Sequence, residues 1–310
     1  MKIAYLADSD SIGGGMEYIR RHAAMLGVGD EAKTFFADRG ECRLGHLEKW
    51  GPDVISVNHL KALVQLFSNP FRRPAARIDF IVHGVHLRKY DFLPKTPANR
   101  MKRRIRLELE RRLYRRCDRL VVLTQSDAMY VRKTYGHGLN VEVEPNTNDA
   151  ANFIDPGELK YGRDSFAFAC IARFDFQKGQ DILLKAICAA RDSLSQSGRR
   201  VLMIGDGKTL PDAKRYVAEN GISSLVEFPG AIPDAGAYMV CAKTLVAPSR
   251  WEGMPYLLLE AVARKRHLIA SDCVGNREVL ENYSDAQLFD VEDVEALSNL
   301  LKGDESCGKR

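Results

Sequence analysis

The residues best suited to chemistry are a few cations, acids and glycines placed where strands should end. Arg173 and Lys178 follow the apolar run Phe-Ala-Phe-Ala-Cys-Ile-Ala, five residues apart across a turn closed by Gly179. In open α/β sheets, ligands bind at the carboxyl ends of strands. Two cations there suit a diphosphate, because arginine grips with two parallel hydrogen bonds and lysine adds a point charge. A pair of solvated surface cations is the plainer alternative. Glu260 lies in Pro-Tyr-Leu-Leu-Leu-Glu-Ala-Val-Ala, a helix that Pro255 is placed to open and that reads as buried on nearly every face. A buried carboxylate needs partners. The paired hydroxyls of a carbohydrate would serve, and so would an internal arginine. Glu252 precedes it by eight residues in Ser-Arg-Trp-Glu-Gly-Met-Pro, again after a strand, with Gly253 freeing the backbone for close approach. Its alternative is a loop acid that favours a helix N-terminus.

Gly13-Gly14-Gly15 sits between the first strand and the first helix. Bare backbone N–H groups at a helix start favour an anion, and a tight turn without a ligand fits equally well. His83 and His86 follow another apolar strand, where imidazole can hydrogen-bond a sugar or a phosphate. No third ligand accompanies them, so no metal is expected. Two lookalikes are refused. Asp8-Ser9-Asp10 is read as loop hydrogen bonding rather than metal binding. Gly207-Lys208-Thr209 lacks the earlier glycine of a phosphate loop, since position 202 is Leu202.

The elements that must position these residues alternate β-branched runs with amphipathic stretches, the pattern of βα units and parallel sheets. Strands are expected at Lys2–Asp8, Asp53–His59, Ile78–His83, Arg119–Leu123 and Asn140–Val143. A second series is expected at Phe166–Ala172, Arg200–Ile204, Leu225–Phe228, Thr244–Ala247 and His267–Ser271. Met16–Leu26 reads as a helix. Two α/β domains follow, residues 1–147 and 163–310, with a breaker-rich linker at 148–162 and a ligand cleft between them. The 310 residues suffice for two cores. Residues 1–150 carry the positive charge (26 Lys and Arg against 18 Asp and Glu), so this half should meet any anionic surface. Seven cysteines without C-x-x-C spacing read as reduced thiols, and no apolar run reaches a bilayer span or a signal core. A cytoplasmic location is expected.

Together these residues resemble glycosyltransferase family 4, the retaining enzymes of the GT-B fold, most strongly from Phe166 to Glu281. Pro248-Ser249 with Glu252-Gly253 and Glu260 resembles the family's E-x7-E signature. Arg173 to Lys178-Gly179 resembles its R-x4-K-G grip, Gly13-Gly14 its glycine loop, His83-Gly84 its cleft histidine, and Pro145-Asn146 the end of its first domain. The resemblance implies two Rossmann-like domains with parallel sheets facing across a cleft. It implies a nucleotide-sugar donor, no metal and no further cofactor. Gly14 and Gly15 with Arg173 and Lys178 would hold the diphosphate, and Glu260 the ribose. Phe228 to Ile232, including Gly230, would lie along the base. Glu252 would contact the donor sugar, Gly253, Met254 and Pro255 would belong to the donor-binding site, and His83 would sit beside the transferred sugar. Cations would stabilise the leaving group, and the reaction would retain configuration by same-face attack.

There are departures from the family's pattern. Ala172 stands where a glycine is usual. Arg264-Lys265-Arg266-His267 replaces a small-residue and Gly-x-Pro turn, and the long C-terminal helix of many relatives has no counterpart after Leu301. On the acceptor side, residues 100–119 hold ten Lys and Arg against three acids. Met101, Ile105, Leu109, Leu113 and Cys117 recur every four residues. That reads as a helix with one apolar stripe and a basic remainder, which could lie on anionic lipid near a glycan or lipid-linked acceptor. A core-packed helix with a solvated basic face is the plainer alternative, and both hold together if the stripe packs inward while the arginines face headgroups. No nucleic acid is expected. Two rivals stand beside this reading: a sugar-nucleotide epimerase of the same architecture, and a non-catalytic nucleotide-sugar-binding subunit.

Overall fold

The computed structural model describes residues 1–10, 13–147 and 159–303. The chain divides into two compact units, Met1–Asn146 and Thr147–Arg310. Most of the expected linker, residues 148–158, lies outside the described residues, as do Ser11 and Ile12 before the glycine turn.

The first unit is a six-stranded parallel sheet in the order β2-β1-β3-β4-β5-β6. Its strands are β1 Lys2–Ala7, β2 Glu31–Phe36, β3 Val54–Val57, β4 Arg77–Val82, β5 Arg119–Val122 and β6 Val141–Val143. Its helices are α1 Gly14–Ala24, α2 Leu44–Trp50, α3 Leu60–Leu66, α4 Lys89–Phe92, α5 Pro97–Tyr114 and α6 Gln125–Tyr135. Interior strands such as Val-Ile-Ser-Val are buried along their whole length, as expected when helices cover both faces of a parallel sheet. The larger core joins Leu6, Ile55, Ile78 and Leu120 to Leu63, Leu113 and Tyr135. A smaller core joins Ile3, Tyr5 and Val54 to Ile19 of α1.

The second unit repeats the plan in the order β12-β11-β10-β7-β8-β9. Its strands are β7 Phe166–Ile171, β8 Val201–Ile204, β9 Val226–Gly230, β10 Ala242–Ala247, β11 His267–Ser271 and β12 Ala286–Phe289. Its helices are α7 Gln180–Ala189, α8 Arg191–Gln196, α9 Leu210–Glu219, α10 Tyr256–Ala263, α11 Val274–Leu280 and α12 Val294–Lys302. In both sheets the first strand lies between its successors. The order therefore reverses between β1 and β3 in the first unit and between β7 and β10 in the second, the points where open sheets leave a crevice.

Two expectations need correction, and one departure is explained. The α5 stripe does not pack inward: Met101, Ile105 and Leu109 are exposed, while Glu110, Leu113 and Tyr114 are buried. A four-residue repeat advances about 40° per step on a helix of 3.6 residues per turn, so a series that starts inward at Leu113 has turned outward by Met101. The setting is locked by Glu110, which pairs with Arg106 and accepts the Tyr135 hydroxyl at 2.5 Å. Helix α10 is not buried all round, because only Leu258 and Ala261 are; Glu260 is half-buried and Pro255 is the cap rather than the first helical residue. Finally, the Arg264–His267 departure has a structural job. Lys265 takes a left-handed φ of 52°, where glycine would be unstrained, and Arg266 pairs with Asp164 and the Ala242 carbonyl.

Candidate functional site

In the second unit, the expected residues gather at the β7/β10 reversal. The turn after β7 carries Arg173 and Lys178, and the segment after β10 carries Ser249 to Pro255. Backbone proximity fixes the first turn. A Cβ at Gly205 would fall 2.0 Å from the Ala172 carbonyl oxygen, and one at Gly207 2.2 Å from that of Phe174. Gly207 thus serves packing, in keeping with its refusal as a phosphate loop. Gly275 meets the Gly253 carbonyl in the same way, at 2.1 Å, which seats the start of α11 against the Glu252-Gly253 loop.

Lys178 Nζ lies 2.6 Å from Glu252 Oε1, which also accepts the Ser249 hydroxyl at 2.7 Å. Gln177 Nε2 donates to Glu252 Oε2 at 3.3 Å and to the Trp251 carbonyl at 2.8 Å. Glu252 is only 7% exposed, so these partners are what make its burial tolerable. The network runs deeper. Ser271 Oγ donates to the Ser249 carbonyl, and Asn276 Nδ2 donates to the Ser271 carbonyl at 3.0 Å. Both residues are fully buried. Spacing suggested Lys178 and Glu252, but nothing local marked Gln177, Ser271 or Asn276.

Arg173 is exposed and pairs with no carboxylate among the described residues, so its guanidinium is available to an anion. Glu260 sits beside Gly236, where a Cβ would meet its Oε2 at 3.0 Å. Gly230 ends β9 in a left-handed conformation, and Ile232 leans on the core of its unit. Met254 and Pro255 are half-buried at the start of α10.

In the first unit, Gly14 is exposed and Gly15 is buried at the start of α1. A Cβ on Gly15 would fall 2.5 Å from His59 Cε1, so the glycine admits an imidazole that spacing did not single out. Asp8 is a structural acid: its Oδ1 accepts from the Ala62 N–H at the start of α3, and Asp10 pairs with Arg39. His86 is exposed. His83 Nε2 lies 3.0 Å from Asn58 Oδ1, and the ring meets Tyr18 edge-on at 5.2 Å. Asn58 Nδ2 donates to the Ser56 carbonyl, so its oxygen faces His83. Nε2 must then carry the proton, which leaves Nδ1 an acceptor.

Burial, helped by the imidazoles of His59 and His86, pushes His83 down from 6.5 to about 3. Below pH 6.5 the unfolded chain takes up a proton that the folded chain refuses until about 3, so stability falls with pH across that window. His83→Gln should flatten this part of a melting-temperature profile relative to wild type. An unchanged slope would show that His83 is not held neutral.

The sequence model of Glycosyltransferase Family 4 matches residues 14–151, and that of Glycosyl transferases group 1 matches residues 165–302. The UDP-Gal:alpha-D-GlcNAc-diphosphoundecaprenol alpha-1,3-galactosyltransferase of Escherichia coli is 26% identical over 193 residues, 59% of this chain and 50% of that one. The GalNAc-alpha-(1->4)-GalNAc-alpha-(1->3)-diNAcBac-PP-undecaprenol alpha-1,4-N-acetyl-D-galactosaminyltransferase of Campylobacter jejuni is 27% identical over 196 residues, 63% and 52% of the two chains. The chain thus spans about half the length of the curated relatives it matches. Among solved structures, sucrose-phosphate synthase from Thermosynechococcus elongatus superposes with a TM-score of 0.79 at 18% identity, covering 99% of this chain and 90% of that one, a likeness of fold. With one half matched by each family model, the chain belongs to glycosyltransferase family 4, and its two units are the Rossmann-like halves of the GT-B fold.

Proposed function

We propose that the protein is a retaining, metal-independent hexosyltransferase. It moves a sugar from a nucleoside-diphosphate donor to a hydroxyl of a glycan or lipid-linked acceptor, in cell-surface polysaccharide or glycolipid synthesis. The observation that carries this reading is the Lys178–Glu252 pair, 2.6 Å apart on the two segments that flank the β7/β10 reversal. The names of the two relatives support the substrate class, since both act on undecaprenol-diphosphate-linked sugars and one takes UDP-galactose.

In this reading Arg173 and Lys178 hold the diphosphate. Glu260 takes the ribose hydroxyls, Gly230 and Ile232 line the base, and Glu252 to Pro255 meet the sugar. The acceptor oxygen bonds to the anomeric carbon as the bond to the diphosphate oxygen breaks on the same face. The electron pair and the acceptor proton both pass to that diphosphate oxygen. Arg173 and Lys178 offset the developing charge, which is where fixed cations lower a barrier. His83 is neutral at working pH, so it orients a sugar hydroxyl through Nδ1 and does not serve as an acid.

A thermal-shift panel of nucleoside diphosphates and their sugars tests the donor site. A ligand that binds only the folded state raises stability as ln(1 + [L]/Kd). Glu260→Ala and Arg173→Ala should each shrink the shift, and unchanged shifts in both would reject the pocket. Epimer formed from donor alone would favour the epimerase instead.

Helix α5 supplies the acceptor side of the proposal. Met101, Ile105 and Leu109 face solvent, flanked by exposed Arg100, Lys102, Arg104, Arg112 and Arg115. An apolar stripe bordered by cations fits an anionic bilayer surface, with the side chains seated at the headgroup boundary. No helix among the described residues is long and apolar enough to cross a membrane. The chain should co-sediment with phosphatidylglycerol vesicles at low salt, weakly with neutral ones, and Ile105→Glu with Leu109→Glu should abolish it. Equal binding to both vesicle types would remove the electrostatic argument.

A further inference from the structure

Arg250 is buried, 5% exposed, and lies in the chain between Ser249, whose hydroxyl donates to Glu252, and Glu252 itself, the acceptor of Lys178. Its guanidinium donates to the Phe176 carbonyl at 2.7 Å and grips Asp181 with two bonds, at 2.9 and 2.7 Å. Its Nε donates to Glu292 at 2.7 Å, and the plane lies 4.0 Å from the Phe176 ring centroid. The Arg250 backbone N–H donates to the Gln177 carbonyl at 2.7 Å. Two carbonyls of the turn Phe176–Lys178 are thus held by one residue, while Asp181 ties the first turn of α7 to it. On the inner side of the same turn, Glu252 holds the lysine.

We propose that Arg250 is a positioning residue that sets where Lys178 stands against the donor diphosphate. This rests on the proposed donor site. An ordinary fold staple would have no reason to converge on the one turn that carries the cation. Arg250 makes its backbone bonds there, and a planar guanidinium can satisfy a carbonyl, a carboxylate fork and an aromatic face at once, which lysine cannot. Displacing a binding cation by about 1 Å is enough to lose much of its effect. Asp181 and Glu292 are 49% and 44% exposed, so removing Arg250 leaves neither acid stranded in the core, and the fold should survive.

The test is a double-mutant cycle read by calorimetric titration with UDP and, separately, GDP. On the wild-type background Arg250→Ala should raise Kd about tenfold. On the Lys178→Ala background the same change should do almost nothing, because the residue it positions is gone. Arg250→Lys keeps the charge and one bond and should fall between, which keeps the cycle readable if Arg250→Ala folds poorly. Equal weakening on both backgrounds would overturn the proposal, since Arg250 would then act independently of Lys178. So would an unaltered Kd in folded Arg250→Ala. If Lys178→Ala itself binds both diphosphates as tightly as wild type, the donor-site reading fails first and takes the Arg250 proposal with it.

Discussion

Lys178→Ala is expected to lower kcat/KM for sugar transfer by about 10²–10³, the usual loss when one preorganised group facing transition-state charge is removed. The same change leaves Glu252 with the Ser249 hydroxyl and the Gln177 amide but no cation. Breaking a buried ion pair is costly because the remaining charge stays desolvated, and Lys178 is itself 24% exposed, so water relieves part of that cost. A stability loss of about 1–3 kcal/mol should accompany the loss of rate. The stability effect is isolated in the double variant Lys178→Ala with Glu252→Gln. A neutral amide removes the stranded charge, so melting temperature should recover while activity does not. Recovery of both would mean that Lys178 serves only as a counter-ion for Glu252, and the diphosphate grip would have to be sought elsewhere.

Gly179→Ala should be a severely damaging change in the second unit. Gly179 sits at φ 66°, a left-handed conformation that costs an ordinary L-residue roughly 1–2 kcal/mol. A Cβ there would also lie 2.0 Å from the Pro248 carbonyl oxygen, so the backbone on one side must move. Both segments concerned carry site residues: Lys178 is the preceding residue, and Pro248 leads into Ser249 and Glu252. Gly198 supplies the control. Its φ is 64°, and nothing lies within 4 Å of its added Cβ. Gly198→Ala therefore incurs only the conformational cost. Gly179→Ala should lower stability by about 3 kcal/mol or more, which is roughly 6–12 °C for a unit of this size, and should reduce transfer about 100-fold. Equal melting losses in the two variants would show that the contact with Pro248 yields easily.

The strands that the sequence left out explain themselves. Glu31–Phe36 and Ala286–Phe289 are both edge strands, and the first has three exposed residues in a row. An edge strand is covered less fully, so it need not carry the aliphatic run by which the interior strands were read. Glu260 shows the opposite error. Apolar neighbours along the chain suggested full burial, whereas Glu260 is half-buried, with Gly236 brought beside it from another segment.

The sequence by itself determined the two series of βα units, and it determined which side chains follow which strands, because a period of 2 or 3.6 and a strand-ending turn are local properties. It therefore located Arg173, Lys178, Glu252, Glu260 and His83. Tertiary structure alone decided what each one meets. Lys178 and Glu252 are separated by 74 positions, and Glu110 and Tyr135 by 25. The first contact ties up two candidate donor-site groups with each other, and the second rotates a helix so that its apolar stripe faces water. Partners of buried charges are chosen by desolvation cost among whatever the packed sheets bring within reach, and no spacing along the chain encodes that choice.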